Sequence, residues 1–302
     1  MKNEPLVSII VLTYNSENTI VETLNSIYNQ SYRNIELIVS DDCSTDKTIE
    51  TVKNWTRYKK NRFSNIKIMK NSKNEGPTIN ANKGIKGSNG EYIKIFAADD
   101  ILLPNAVNTY LEYCTNNNTI YFFDLDFIGN GDINKMHYFL NREKEMLSYD
   151  RKRIYKNMLI NNFICGPSLG LIKRSVYKKT DYYDERFKYV EDYPFLIKLL
   201  ENKYELKFIN IKCAQYRIHN NSLCQNKEII NNFKDSMDLF FNIIKKKLLL
   251  KNHQYITYLK QSIYSYRYNI LKKEGKTTKY KVSVFLYIIF PKYFIDTYII
   301  KQ

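Results

Sequence analysis

The sequence predicts an α/β fold: a mostly parallel central sheet flanked by helices, followed by a C-terminal helical extension. Three observations point there. Short apolar runs alternate with helical patterns over residues 6–96, joined by short connections. The main runs are apolar along their length, as strands covered on both faces are. Beyond residue 226 the strand signals stop and only helical periodicity remains.

The elements follow in order. Residues 6–13 (LVSIIVLT) are β-branched and apolar, a buried strand. A helix is predicted over 19–29, with Ile20, Leu24 and Ile27 on one side. Residues 35–40 (IELIVS) form a second strand, 46–55 a helix, 65–70 a third strand, 77–86 a helix and 92–96 a fourth strand. The pattern then becomes mixed. A helix over 104–114 precedes a strand over 120–124, and a polar, aromatic stretch runs to about residue 150. Strands are predicted over 165–172 and 212–218, with a helix over 191–201 between them. Helices over 229–251 and 255–273 close the regular part, before a polar break at 272–279 and an apolar, aromatic segment over 282–300.

The 302 residues, 44% of them hydrophobic, suffice for one large core or one core and a smaller appended unit. The five cysteines are scattered without a CxxC pair, which indicates neither a zinc site nor a disulfide framework and fits a reducing cytosol. Residues 1–5 lead straight into the first strand, so no signal peptide is expected. No apolar stretch reaches the ~18 residues of a membrane span. The net charge is +16, and residues 221–302 hold 15 Lys and Arg against five Asp and Glu. Such a region suits phosphates, nucleic acid or an anionic membrane surface, or it simply solvates helices in a lysine-rich chain.

In parallel sheets ligands collect at the carboxyl ends of the strands. The polar clusters fall there: Thr13–Asn15, Asp41–Thr45, and Asp99–Asp100. Asp41 and Asp42 close a strand either as a functional pair or as a turn and helix cap. Asp99 and Asp100 are the sharper case. Two adjacent acids at the end of a buried strand repel each other and lose hydration. A hard cation, Mn²⁺ or Mg²⁺, would relieve both costs and accept diphosphate oxygens as further ligands.

These motifs form an ordered series. Val7-Ser8-Ile9-Ile10-Val11-Leu12-Thr13-Tyr14-Asn15 comes first, then Gln30-Ser31-Tyr32 and the run from Glu36 to Asp46. Asn74-Glu75-Gly76, Asn82-Lys83-Gly84-Ile85, Gly90-Glu91-Tyr92-Ile93 and Ala98-Asp99-Asp100 complete it. In this order the chain resembles glycosyltransferase family 2, the inverting enzymes of the GT-A fold, of the bacterial polysaccharide type. The resemblance covers about the first 115 residues closely and 165–222 more loosely.

It implies a catalytic domain over 1–222, with a nucleotide-binding half (1–115) and an acceptor half (116–222), and a basic helical region over 223–302. It implies that Thr13, Tyr14 and Asn15 line the nucleotide base, with Tyr14 stacked on it. Asp42 resembles the acid accepting the base N3–H, Asp99 the residue near ribose and sugar, and Asp100 the metal ligand. Asn74, Gly76 and Lys83 lie on the loop and helix near ribose or diphosphate. In Tyr189-Val190-Glu191-Asp192, Asp192 resembles the general base and Glu191 a neighbour orienting the acceptor; an acidic first helical turn is the alternative reading. Arg217 resembles a phosphate contact and His219 a group on the metal. Cys165-Gly166-Pro167-Ser168 resembles the acceptor-side loop. The chain departs from the family where Cys43 replaces the usual Gly, Ala97 the frequent Asp, and Ala81 an Arg.

The function implied is inverting hexosyl transfer from a nucleotide-diphosphate sugar, UDP-linked, to a glycan or lipid-linked glycan in cell-surface polysaccharide synthesis. The expected location is cytoplasmic, peripheral on the inner face of the plasma membrane. The last segment suits a helix on an anionic membrane, or one packed on the protein or a partner; membrane contact is the preferred reading. Nucleic acid is not an expected partner, because the acid pairs repel phosphate unless a metal intervenes. A nucleotidyltransferase would want a glycine-rich, arginine-bearing loop after the first strand, which Thr13-Tyr14-Asn15-Ser16 is not. A degenerate, non-catalytic sugar-nucleotide binder would be expected to have lost Asp100 or Asp192; both are present.

Overall fold

The computed structural model describes residues 4–164, 166–218 and 227–274. The chain divides into two compact units, Met1–Ser236 and Met237–Gln302. The domain boundary predicted at 222/223 falls among residues 219–226, outside the described residues.

The first half of unit one alternates as predicted: β1 (Val7–Thr13), α1 (Ile20–Tyr28), β2 (Ile35–Asp41), α2 (Thr48–Lys59), β3 (Asn65–Lys70), α3 (Pro77–Gly87) and β4 (Tyr92–Ala97). A two-residue strand, β5 (Ile101–Leu102), precedes α4 (Ala106–Tyr113) and β6 (Thr119–Gly129). Then come α5 (Ile133–Leu147), α6 (Arg151–Ile160), a 3-10 turn (Gly166–Ser168), β7 (Ile172–Lys173), α7 (Arg174–Lys179), α8 (Asp192–Glu201) and β8 (Glu205–Ile218).

The main sheet has the order β3-β2-β1-β4-β7, parallel except for β7. Winding proceeds one way from β1 to β3 and the other way to β4. The switch between β1 and β4 opens a crevice beyond the strands' carboxyl ends. Register keeps those ends level: Thr13 pairs with Asp41 and Leu12 with Ala97. Ile9, Leu37 and Ile93 are wholly buried, as strands covered on both faces require. A second sheet, β5-β8-β6, adjoins in sequence from Ile101 onward.

Several predictions needed correction. The stretch 125–150, read as irregular, continues β6 to Gly129 and then forms α5, capped by Asp132, whose carboxylate accepts from Lys135 N–H at 3.0 Å. α6 and α7 lay outside the predicted elements. The strand expected over 165–172 shrinks to the two residues of β7, because Gly166-Pro167 turns the chain. β8 starts at Glu205 rather than at 212.

The helix predicted over 229–251 is interrupted. α9 (Lys227–Phe240) passes through a π-helical turn (Phe241–Lys245) into α10 (Lys246–Lys251), and α11 (Tyr255–Glu274) follows. Within unit two, Asn242 Nδ2 donates to Ser265 Oγ at 3.1 Å and Asn269 Nδ2 to Asp238 Oδ2 at 3.1 Å. No helix among the described residues is long and apolar enough to cross a membrane. The segment 282–302 lies outside the described residues.

Candidate functional site

The polar ends of β1, β2 and β4 meet at the switch point. Thr13 is buried at the end of β1, and its Oγ1 has no hydrogen-bond partner among the described residues. A buried hydroxyl without a partner costs about 1–3 kcal/mol, so this position is prepared for a polar ligand. Next to it Tyr14 is half-exposed, its ring open to solvent. Asn15 sits in the left-handed region (φ 50°) and its Oδ1 accepts from Thr45 N–H at 2.9 Å. Asn15 thus braces the loop after β2.

Asp42 is buried, and its carboxylate organises a second loop. Oδ1 accepts from Asn71 Nδ2 at 2.8 Å and from Glu75 N–H at 2.9 Å; Oδ2 accepts from Gly76 N–H at 2.7 Å. A carboxylate offers about four lone-pair sites. Three are engaged, leaving one for a ligand. Cys43 follows with φ 66°, a conformation glycine adopts without strain, which accounts for the usual glycine there. Asn74 Oδ1 accepts from Gly76 N–H at 3.2 Å, and Gly76 itself has φ 92°. A Cβ on Gly76 would sit 3.3 Å from Lys188 O. Lys83 donates to Asn71 Oδ1 at 2.9 Å and pairs with Glu75, so it buttresses the loop.

At the end of β4 the two acids differ. Asp99 is half-buried, whereas Asp100 is 1% exposed. Asp100 Oδ1 accepts from Arg217 N–H at 2.9 Å, and its carbonyl accepts from Thr23 Oγ1 at 2.8 Å. Burial, and then the charge of Asp99, holds the Asp100 carboxyl well above the usual carboxylate range. A cation would relieve that cost, and the oxygen donors suit a hard divalent ion. Among the described residues no group of three or more His, Cys, Asp or Glu is gathered as ligands. Mg²⁺-like ions need no such cage: one or two carboxylates plus substrate phosphates and water suffice. His219 lies outside the described residues.

The Arg217 side chain, read from sequence as a phosphate contact, is committed within the protein. Its Nε donates to Asp99 O at 2.8 Å and its Nη2 pairs with Glu22 at 2.5 Å. It therefore fixes the backbone of the acid pair.

Glu191 and Asp192 open α8, both half-buried. Burial, and then the charge of Asp192, pushes Glu191 up to about 7. Burial also raises Asp192, against hydrogen bonds from the Tyr193 N–H and its own N–H. A carboxylate at a helix N-terminus with a raised pKa is suited to take a proton near neutrality.

A chain of contacts links the acids within unit one. Asp42 holds Gly76, and Gly76 abuts Lys188. Thr78, two residues after Gly76, donates to Phe187 O at 2.7 Å, four residues before Glu191. A Cβ on Gly166 would lie 3.2 Å from Asp192 Oδ2. Lys94, on β4, donates to Pro167 O at 3.3 Å and to Leu169 O, and its charge acts on Asp100. Lys94 was not singled out in the sequence; its signal was a lysine inside an apolar strand leading to the acid pair. Elsewhere, a surface groove of about 640 Å³ lined by Lys53, Arg57, Lys60, Phe63 and Ile66 runs along edge strand β3. It contains none of these acids.

Comparisons with known proteins follow the same geometry. The sequence profile described as Glycosyl transferase family 2 matches residues 8–181. An uncharacterized glycosyltransferase of Methanocaldococcus jannaschii is 32% identical over 227 residues, 72% of this chain and 72% of its own. The UDP-Glc:alpha-D-GlcNAc-diphosphoundecaprenol beta-1,3-glucosyltransferase WfaP of Escherichia coli is 27% identical, over 74% of this chain and 81% of its own. Among solved structures, S. aureus TarS 1-349 in complex with UDP-GlcNAc superposes with a TM-score of 0.61 at 18% identity, covering 97% of this chain and 83% of that one. At that identity the likeness is one of fold.

Proposed function

The chain belongs to glycosyl transferase family 2, with the GT-A fold and glycosyltransferase activity, and on that premise we propose that it transfers a sugar from a UDP-linked donor to a lipid-linked glycan, with inversion. The observation carrying this reading is the set of contacts in which Asp42 holds the 74–76 loop, Asp100 accepts from Arg217 N–H, and Asp192 lies against the Gly166 turn.

In this account Tyr14 offers its open ring to the base, and the fourth lone-pair site of Asp42 accepts the base N3–H. Thr13 Oγ1 gains a partner from the same nucleotide. Asp100, with Asp99 beside it and His219 from the adjoining segment, would hold Mn²⁺ or Mg²⁺; such an ion neutralises charge on the departing diphosphate. Arg217 keeps the acid pair in place. Asp192 accepts the proton of the acceptor hydroxyl as its oxygen bonds to the anomeric carbon and the bond to the diphosphate breaks. Glu191 orients the acceptor. The lipid-linked acceptor is supported by the name of WfaP, and the UDP donor by the TarS complex.

An acceptor of that kind places the enzyme at a membrane surface. Support comes from α11, where Tyr255, Ile256, Leu259, Tyr264, Tyr266 and Leu271 are exposed and Lys272 and Lys273 lie in the last turn. Peripheral contact with the anionic inner leaflet, from the cytoplasmic side, follows.

The test is thermal stabilisation by a panel of nucleotide sugars with Mn²⁺. A ligand at 100 times its Kd adds about 2.7 kcal/mol, or roughly 5–10 °C for a unit of this size. UDP-sugars are expected to give that shift and GDP- and ADP-sugars much less. Stabilisation by purine nucleotide sugars alone would overturn the donor assignment.

A further inference from the structure

Two charged side chains are buried against a single turn. Lys94 on β4 is 1% exposed, and Glu143 on α5 is 0% exposed. Lys94 Nζ donates to the carbonyls of Pro167, at 3.3 Å, and Leu169. Glu143 Oε1 accepts from Ser168 Oγ at 2.6 Å. The turn they grip is Gly166–Ser168, whose first residue approaches Asp192 so closely that an added Cβ would sit 3.2 Å from Oδ2. The turn is also closed by Leu169 N–H donating to Gly166 O at 3.2 Å, and stitched to β6 through Gly170 N–H and Tyr121 O at 2.9 Å.

Burying an ammonium and a carboxylate is costly, and apolar side chains of similar volume would fill the same space at less cost. Packing alone does not call for either charge. What the charges supply is direction: an ammonium donating to two carbonyls of the turn and a carboxylate accepting from its hydroxyl. An apolar pair would leave the turn free to slide past Asp192. The ring faces of Phe96 and Tyr110 lie 5.7 and 5.4 Å from Lys94 Nζ, which further fixes the ammonium.

We infer that Lys94 and Glu143 are positioning residues that clamp the Gly166–Leu169 turn against Asp192, so that the acceptor hydroxyl is held in line with the base. The inference rests on the glycosyl-transfer reading of Asp192, and it locates part of the acceptor subsite at this turn. It separates two tasks: the loops held by Asp42 serve the donor, while the clamp serves the acceptor and leaves donor affinity unchanged.

The experiment uses full-length protein with Lys94→Met, Glu143→Leu and Glu143→Gln. Three readouts are taken: amide hydrogen exchange over 166–170, UDP affinity with Mn²⁺, and transfer from UDP-glucose or UDP-GlcNAc to a synthetic GlcNAc-diphosphoryl lipid. Lys94→Met and Glu143→Leu are expected to speed exchange in the turn by about tenfold or more. Turnover at saturating donor should fall about 10- to 100-fold, the scale of a 1 Å misplacement. UDP affinity of the Glu143 variants should stay within about threefold; Lys94→Met also removes a charge that acts on Asp100, so it is read by exchange in the turn alone. Glu143→Gln, which keeps an acceptor for Ser168, should recover most of the loss. Unchanged exchange in the turn overturns the clamp. Faster exchange with unchanged turnover, or equal losses of turnover and UDP affinity, overturns its role in positioning. If Lys94→Met fails to fold, Ser168→Ala removes one grip alone and is read the same way. A wild type that binds no UDP and transfers neither sugar sinks the glycosyl-transfer reading instead, and the exchange arm still decides the clamp.

Discussion

Replacing Asp42 by alanine removes a buried acceptor from three donors: Asn71 Nδ2 at 2.8 Å, Glu75 N–H at 2.9 Å and Gly76 N–H at 2.7 Å. A hydrogen bond to a charged group contributes about 1.5–3 kcal/mol, so the three together are worth roughly 4.5–9 kcal/mol before relaxation. Glu75 is half-exposed, and water entering the vacated space would solvate part of the loop. A value just below the low end, about 4 kcal/mol, is therefore expected. For a unit of 236 residues that corresponds to a fall in Tm of roughly 8–16 °C. Asp42→Asn keeps one acceptor oxygen but turns an amide toward a donor, and should lose about half as much. Scanning calorimetry measures both, and UDP titration on the same samples reads the ligand role. A Tm for Asp42→Ala within about 2 °C of wild type would refute the claim that this carboxylate holds the 74–76 loop. A large fall in Tm for Asp42→Asn with unchanged UDP affinity would show that its fourth lone-pair site does not meet the base.

Asp192→Asn should lower turnover by about 10²–10⁴-fold while UDP affinity holds, measured by steady-state kinetics and titration; loss of affinity instead would make its role structural. The acid limb of kcat/KM should lie near pH 7, because Glu191 is pushed up to about 7 by burial and by Asp192, and the limb belongs to the pair. Glu191→Gln should move that limb to lower pH, since a neighbouring negative charge is gone. Asp100→Ala should abolish the Mn²⁺ dependence of UDP binding, and retained dependence would place the metal elsewhere. Glu36 is buried at the opposite end of the sheet; burial raises its pKa, but Asn89 N–H, Ser8, Asn65 and Lys67 together hold it below the ordinary value. With the folded pKa depressed, its contribution is present above the unfolded value of about 4.5 and is lost as pH falls through the folded one. Glu36→Gln should therefore flatten the acid side of a stability–pH curve, and an unchanged slope would contradict this.

The first hundred or so residues were legible because each strand there is a short, continuous apolar run and each acid pair closes one. The register that levels Thr13 with Asp41 follows from equal strand lengths. α5 was missed although Leu140, Met146 and Leu147 repeat at helical spacing, because a buried glutamate, Glu143, interrupts the apolar face. The strand read over 165–172 rested on an apolar run that Gly166 and Pro167 break, and the turn they make is the part that approaches Asp192. Arg217 was read as a phosphate contact, and no pattern in the sequence could say that Glu22 and the Asp99 carbonyl occupy its guanidinium. Buried charges such as Lys94 carry no periodic signal at all, since only tertiary contacts reveal what they hold.

The central claim, that the acids of β2, β4 and α8 serve one nucleotide-sugar site, is tested most directly by a crystal structure of the chain with UDP and Mn²⁺. The account predicts the uracil against Tyr14 and Asp42, the diphosphate over Asp99 and Asp100, and Asp192 facing the vacant sugar position across from it. UDP seated in the basic groove along β3, or a diphosphate with Asp192 out of reach of its sugar side, would contradict it.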